Sequence, residues 1–446
     1  MTVPGGPAED GGHHTDHEGN VLMHRTTRTL SVTGITGLLA TALLAPAAGA
    51  APDRPGPAGQ PQDELRQEVW RAAEQAAQEA ADRVRVKGTP PGRSTPVTDA
   101  LDAGLATAVA DGAVGVTVRV ERPDLTWRGS AGVRDQGRAA PAGWQDRFRV
   151  ASNTKTMVAT LVLQEVEAGT WTLDTPVEDV IPGLFPDHPE VTVRQLLDHT
   201  SGAPNGSVEL LLRNIDDPTS LEQQLAAMSK DYTDQEHIDA INDAPWTEPG
   251  QFVYSNAGYV ALGMLLETAT GRSVEDLLRE RVFAPAGMRH SSYPDDPGLH
   301  GPVLREDAWV GPGWEDGWLD LDGFDPDFFS HAGAAVSTTA DLVAFNEALL
   351  TGDLVGPEVL QEMLTPNPMS GYGLGIYAVL DPCSDPAAPE LLWGHDGASF
   401  GTLSIVLGST DGTRQIVIGA TGRDISAEVP RWDFGDLLVP ALLATC

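Results

Sequence analysis

Lysine is nearly absent from this 446-residue chain: Lys87, Lys155 and Lys230 are the only three, and arginine supplies the rest of its 28 basic residues. Against 64 acidic residues these leave a formal net charge of −36. An excess of negative charge this large argues against nucleic acid or an anionic membrane surface as a partner, because both repel it. It describes an acidic solvated surface and identifies no substrate. Cysteine is just as scarce. Cys383 and Cys446 are too few for a disulfide framework; they can form one bond that pins the C-terminus, which requires an oxidising compartment. No stretch beyond residue 50 is long and apolar enough to span a bilayer. The aspartates between Trp309 and Phe329 lack the D-x-[DN]-x-[DN]-G order of a calcium loop, so no metal and no cofactor is expected.

The N-terminus carries its own signal. Met23 to Arg28 is basic, Leu30 to Leu44 is apolar and small, and Ala48-Gly49-Ala50 offers a small-residue cleavage site. This is the order of a secretory signal peptide, so residues 1–50 are read as a signal peptide with an upstream, misassigned extension, and the protein as secreted. Pro46 and the short apolar core count against an uncleaved membrane anchor. Residues 51–95 read as a Pro/Gly/Ala-rich linker followed by a charged helix, Asp63 to Val86, with no evident chemistry. The main domain is expected over 96–446.

Within that domain, Val97 to Ala110 has helical spacing, and Val114, Val116, Val118 and Val120 alternate as a strand does. Leu125 to Val133 can pair back through a Pro123-Asp124 turn. From about residue 152 to 350 the pattern is mostly helical. Strand signals return with Leu391 to Trp393 and with Leu403 to Leu407 and Gln415 to Gly419, which flank the hairpin turn Thr410-Asp411-Gly412. The last segment, Phe434 to Ala444, looks helical. Strands at both ends and helices between predict an α+β fold: one antiparallel sheet flanked by helices, with a mostly helical second lobe. The aromatic stretch from Trp309 to Phe329 covers either a pocket or a core edge.

Three groups of residues have the makings of chemistry. Ser152 and Lys155 stand three apart where an extended run turns into a helix, so they share one helix face. The amine can take the proton that a serine must lose to become a nucleophile, at a helix start that favours negative charge. With lysine so rare, S-x-x-K is an uncommon coincidence here, although serine is also an ordinary N-cap. Tyr254 and Asn256 lie in a loop entering the next long helix. The phenol can serve as acid or base if a cation lowers its pKa, and Asn256 can hold the lysine or a substrate carbonyl; taken alone, the cluster is better explained as an aromatic anchor followed by an Asn N-cap. Finally, His395-Asp396-Gly397-Ala398 ends a strand. There the histidine is either a donor at the pocket edge or a turn residue, and glycine permits close approach.

In this order and spacing, Ser152-x-x-Lys155, Tyr254-x-Asn256 and His395-x-Gly397 resemble the three motifs of the penicillin-recognising serine hydrolases. The similar subgroup is that of class C β-lactamases, D-Ala-D-Ala carboxypeptidases, D-aminopeptidases and related esterases. The resemblance runs from about residue 97 to the end and includes Leu196 to Gly202, Gly258-Tyr259, Ala284 to Met288, Ser337 to Asp341 and Tyr372 to Gly375. It implies a β-lactamase/transpeptidase-like fold and a catalytic set of Ser152, Lys155 and Tyr254. It also implies substrate contacts from Asn256, His395, Asp396, Gly397 and Ala398, an oxyanion hole from the N–H groups of Ser152 and Ala398, and a structural role for His199. A Cys383–Cys446 bond would close the C-terminal helix, as in the secreted carboxypeptidase branch. The expected partner is a small peptide or ester, a peptidoglycan stem peptide among the candidates. The expected activity is D-Ala-D-Ala carboxypeptidase-type cleavage, with esterase, amidase, β-lactamase or a non-catalytic penicillin-binding module as alternatives. Two departures from the pattern bear on substrate. Asp396 stands where a threonine is usual, and Tyr377 stands where an arginine would hold a terminal carboxylate, leaving Arg414 on the neighbouring hairpin as a substitute cation.

Overall fold

The computed structural model describes residues 95–446 except 219, 313–315, 369, 427–430 and 433. The signal peptide, the linker and the charged helix fall outside the described residues. Among those described, no helix is long and apolar enough to cross a membrane.

The first helix, α1 (Pro96–Asp111), starts where its sequence says it should. Thr95 accepts from the Thr98 N–H in a capping box, and Pro96 occupies the first turn. β1 (Gly115–Arg122) then pairs with β2 (Leu125–Asp135) across the two-residue turn at 123–124. β3 (Arg138–Pro141) extends that edge. The rest of the sheet comes from the far end of the chain: β8 (Tyr377–Leu380), β9 (Leu391–Ala398), β10 (Thr402–Ser409) and β11 (Gln415–Thr421). The order is β3-β2-β1-β11-β10-β9-β8, and β1 joins the two halves through Val116 opposite Ala420. The N- and C-terminal segments therefore build one antiparallel sheet, as the strand signals at both ends imply.

Alternation along the strands divides the interior into two layers. Val116, Val118, Val120, Ile416 and Ile418 pack with Leu101 and Leu105 of α1 and with Leu437 and Ala441 of the last helix, α11 (Gly435–Ala444). Trp393, Val406 and Val417 face the other way, toward α2 (Asn153–Glu167) and α9 (Thr339–Leu350). Between β4 (Phe148–Arg149) and β7 (Val336–Ser337) lie the helices of the second lobe: α3 (Val193–Leu197), α4 (Gly206–Arg213), α5 (Leu221–Met228), α6 (Asp234–Asn242), α7 (Asn256–Thr270) and α8 (Val274–Leu278). α10 (Pro357–Met363) follows α9.

The aromatic stretch covers a core edge. Asp307–Trp309 (β5) and Trp318–Asp320 (β6) form a hairpin, with Arg423–Asp424 (β12) parallel to β5. Phe324, Phe328 and Phe329 bury themselves around Phe400. Cys383 and Cys446 are bonded to each other, which ties the second residue past α11 to the loop between β8 and β9.

α2 is the helix on which the site is built, and its first turn is bolted to its surroundings by polar side chains. Asn153 donates to Ser404 Oγ on β10 at 2.8 Å, Thr154 Oγ1 accepts from the Ala335 N–H at 3.1 Å, and Thr156 Oγ1 donates to the Gly375 carbonyl at 2.7 Å. β9 presses directly against this turn at Gly397, where a Cβ would lie 2.2 Å from the Val150 carbonyl oxygen and 2.4 Å from Ser404 Oγ. Gly397→Ala is therefore expected to force strand and helix apart. The overpacking should cost about 1–3 kcal/mol, read as a lowered denaturation midpoint with an unchanged slope.

Candidate active site

Ser152 occupies the N-cap position of α2, yet its hydroxyl makes no capping bond. The preceding Ala151 has φ +47°, a left-handed conformation that an L-residue adopts only under constraint. It turns the extended β4 segment sharply into the helix and leaves Ser152 half-buried, its hydroxyl free of any capping role. One turn on, Lys155 has no exposed surface. Its Nζ lies 2.9 Å from Ser152 Oγ, 2.7 Å from Asn256 Oδ1 and 3.0 Å from the Ala332 carbonyl oxygen. Asn256 is oriented in turn by donating from Nδ2 to Ser207 Oγ at 3.0 Å. The N-cap of α7 is Ser255, whose hydroxyl accepts from the Gly258 N–H. Asn256 is thus the first residue inside the helix, with its side chain spent on the lysine.

Burial holds the Lys155 amine well below its ordinary pKa, with Asp396 opposing the shift only in part. The shift favours the neutral amine, the form able to accept the serine proton. Tyr254 behaves in the opposite sense. Burial raises its pKa above the usual phenol range, a hydrogen bond from Ser152 pulls it back only partly, and Asp396 adds to the rise. It stays protonated and can donate, although Lys155 Nζ sits 4.8 Å from the centre of its ring. Of the two groups beside Ser152, lysine is the one suited to be the base and tyrosine the one suited to deliver or relay a proton.

The third group of predicted residues divides along the strand. A backbone bond pairs Ser399 with Thr402, and β9 runs against β10 in register, Ala398 opposite Leu403. Alternate N–H groups of an antiparallel strand point to opposite edges, so that of Ala398 points away from β10. β8 reaches only to Gly394 on that side, so the open edge at Ala398 suits an oxyanion contact. Asp396, two residues before it, acts electrostatically on both Lys155 and Tyr254 and keeps 24% of its side-chain surface exposed. Burial pushes its carboxyl up to about 6, while Lys155 and Arg423 draw it down.

His395 is not a donor at the pocket edge. It is 2% exposed, its Nε2 lies 2.8 Å from the Tyr372 hydroxyl, and its Nδ1 faces the Asp396 carbonyl at 2.5 Å. Burial, with Lys155 nearby, lowers its pKa to about 3, so it is a neutral strut under the strand. Period-two alternation, which turns 395 inward whenever 396 faces the cleft, is the signal in the sequence that points to this. His199 is also internal: φ is +60°, Nδ1 accepts from the Ser255 N–H, and the ring packs against Tyr254, Tyr259 and Tyr372. Arg414 cannot act as the substitute cation, because it pairs with Asp381 at 3.0 Å on the hairpin side. Tyr377 is buried against the His395 ring. The Ala332 carbonyl and Ser207, both part of the lysine's support, have no signature in the sequence, since one is backbone and the other an ordinary serine.

Residues 97–420 match the model of the beta-lactamase family. The chain belongs to that family. Among curated relatives, penicillin-binding protein 4 of Amycolatopsis lactamdurans is 29% identical over 305 residues, 62% of this chain and 72% of that protein. Esterase EstB of Burkholderia gladioli is 29% identical over 188 residues, 41% of this chain and 47% of the esterase. Two Bacillus subtilis relatives are covered over 53% and 58% of their length, so the chain spans little more than half of several curated relatives. Among solved structures, a D-stereospecific amidohydrolase from a Streptomyces species has 27% identity and a TM-score of 0.65, covering 76% of this chain and 96% of that one. A D-amino acid amidase from Ochrobactrum anthropi complexed with D-phenylalanine gives 27% and 0.65, covering 78% and 99%. The proteins this chain resembles thus carry names of penicillin-binding proteins, an esterase and D-specific amidases.

Two outcomes are expected. Lys155→Met should lower kcat by about 10²- to 10⁴-fold, the usual range for losing a general base, in a protein that still melts cooperatively. For the unaltered protein, kcat/KM should fall as pH drops through the depressed pKa of the lysine, well below the ordinary lysine range, because the amine takes up a proton there. A rate that kept climbing into the ordinary lysine range would show the amine to be charged.

Proposed function

We propose that this protein is an acyl-enzyme serine hydrolase of small amides, peptides or esters, with Ser152 as nucleophile, Lys155 as base and Tyr254 as proton donor. The observation that carries the reading is a fully desolvated amine 2.9 Å from the Ser152 hydroxyl. In the acylation step Ser152 Oγ bonds to the carbonyl carbon and its proton passes to Lys155. The oxyanion is stabilised by the N–H groups of Ser152 and Ala398. The carbonyl–heteroatom bond then breaks as the leaving amine or alcohol is protonated from Lys155 by way of Tyr254. Water releases the acyl group by the same route in reverse.

For the substrate, we infer an amide, peptide or ester with no free carboxylate beside the scissile bond, of the kind named for the D-specific amidohydrolase relatives. Asp396, partly exposed beside Lys155 and Tyr254 and with its carboxyl pushed up only to about 6, would as a carboxylate repel a second one. Tyr377 is buried and Arg414 is already paired, so neither offers a compensating cation. The second reading, D-Ala-D-Ala carboxypeptidase, draws its support from the Cys383–Cys446 bond and the penicillin-binding relatives. Export to an oxidising compartment is proposed on the strength of the signal-like first 50 residues and that same bond.

A paired assay separates the readings. D-phenylalanine amide or a p-nitrophenyl ester should be hydrolysed, diacetyl-Lys-D-Ala-D-Ala should not, and Ser152→Ala should abolish turnover. Asp396→Thr should raise turnover of the D-Ala-D-Ala peptide at least about tenfold, a change of about 1.4 kcal/mol in transition-state binding. Efficient peptide turnover by the unaltered protein would favour the carboxypeptidase instead.

A further inference from the structure

The least expected partner of Lys155 is a main-chain oxygen. The Ala332 carbonyl belongs to a single 3-10 turn, Ser330–Ala332, which opens with Ser330 at φ +41°. A serine does not hold that conformation unaided; the neighbouring segments hold it. Ser330 Oγ donates to Asp234 Oδ1 at 2.7 Å, and His331 Nε2 lies 2.9 Å from Asp234 Oδ2. On its other side, His331 Nδ1 lies 2.8 Å from the Tyr293 hydroxyl. The imidazole face rests on Gly263 of α7, where a Cβ would lie 2.0 Å from His331 Cδ2. Asp234 is the first residue of α6, so the turn is gripped from α6, from α7 and from the strand-like segment at Tyr293.

Asp234, Glu267 and His331 bring ligating atoms within 4.8 Å of one another. Both Asp234 oxygens and both imidazole nitrogens are already engaged in the hydrogen bonds just described, so the cluster is complete as a clamp. Its charges agree. Burial would lower the His331 pKa, but Asp234 overrides it and the net shift is upward, with Glu267 and Asp327 contributing. Burial would raise Asp234, and His331, Ser330 and the more distant His237 bring it down to about 2.

We propose that the Asp234–His331–Tyr293 clamp is a positioning device for the general base: it fixes the Ala332 carbonyl and so directs the lone pair of Lys155 at Ser152. A neutral amine has two N–H groups and one lone pair. Asn256 Oδ1 and the Ala332 oxygen accept both N–H groups, and the remaining direction is the one toward Ser152 Oγ. Loss of either acceptor frees the amine to rotate an N–H toward the serine, which is the wrong polarity for proton removal. The inference rests on the Ser152–Lys155 acyl-enzyme reading.

The test uses the full chain with His331→Ala, Asp234→Asn and His331→Gln, each checked for folding by circular dichroism and thermal melting. Turnover of a p-nitrophenyl ester is followed as a function of pH. Labelling of unaltered Ser152 by a fluorophosphonate is run alongside, so that the acyl-enzyme reading is judged separately. In the first two variants kcat should fall about 10- to 100-fold, the scale of a misplacement of about 1 Å at a reacting group, with KM within about twofold. The acid limb of kcat/KM should also move to lower pH, because the ammonium form loses an acceptor. His331→Gln keeps a donor for Asp234 and should recover most of the rate. Partial unfolding lowers the amplitude without moving the limb. An unmoved acid limb in the folded His331→Ala and Asp234→Asn variants, whatever their rate, overturns the proposal, as do wild-type rates.

Discussion

An amine stripped of water is the condition on which this molecule is arranged. Desolvating a lysine disfavours its charged form by several kcal/mol, and a fold tolerates it only when every proton of the group meets an acceptor. Here the partners of the amine come from three places far apart in sequence: acceptors at the start of α7 and in the turn before β7, and the serine hydroxyl at the start of α2. Each is anchored to something else. Asn256 leans on Ser207, the Ala332 carbonyl on its buried turn, and α2 on β10 and the segment at Gly375. The two lobes therefore meet around the lysine because neither alone can solvate it.

The same burial assigns different work to chemically similar groups. Two hydrogen-bonding side chains touch Ser152, and exclusion of water moves the lysine toward its neutral form and the tyrosine toward its protonated form. A single environment thus favours one acceptor and one donor, the pairing that acid–base catalysis needs. Asp396 introduces the opposite sign at the edge of this dry region. It is the only one of the strand-end residues 395–398 whose chemistry differs in kind from a neutral contact, and it weighs on which substrates can approach rather than on how the serine is activated.

Much of this arrangement is legible in the amino-acid sequence alone. The serine–lysine spacing, the hairpin turns at 123–124 and 410–412, and the strand alternation at both ends are local patterns with one dominant physical reading, and the sheet and α2 follow from them. His395 is harder, because a histidine beside glycines suits a rim and a buried strut equally; only the direction in which Asp396 points decides between them. The aromatic stretch is ambiguous for a similar reason, since burial depends on Phe400, some 70 residues further on. The lysine's backbone acceptor has no letter to mark it. Its support, Asp234, Tyr293 and His331, is spread over about 100 residues and looks, one residue at a time, like ordinary polar surface.

β1 is the inner strand that joins the two halves of the sheet, and its partner on one side is β11: Val116 sits opposite Ala420. No sequence-local event can close that pairing. A nascent chain must present β11, about 300 residues after β1, before that pairing can form. Folds dominated by such distant contacts form slowly and keep unpaired strand edges exposed meanwhile. The site is thus a late-closing one: Ser152 and Lys155, at the start of α2, acquire their full surroundings only when β9 and β10, more than 200 residues further on, have paired.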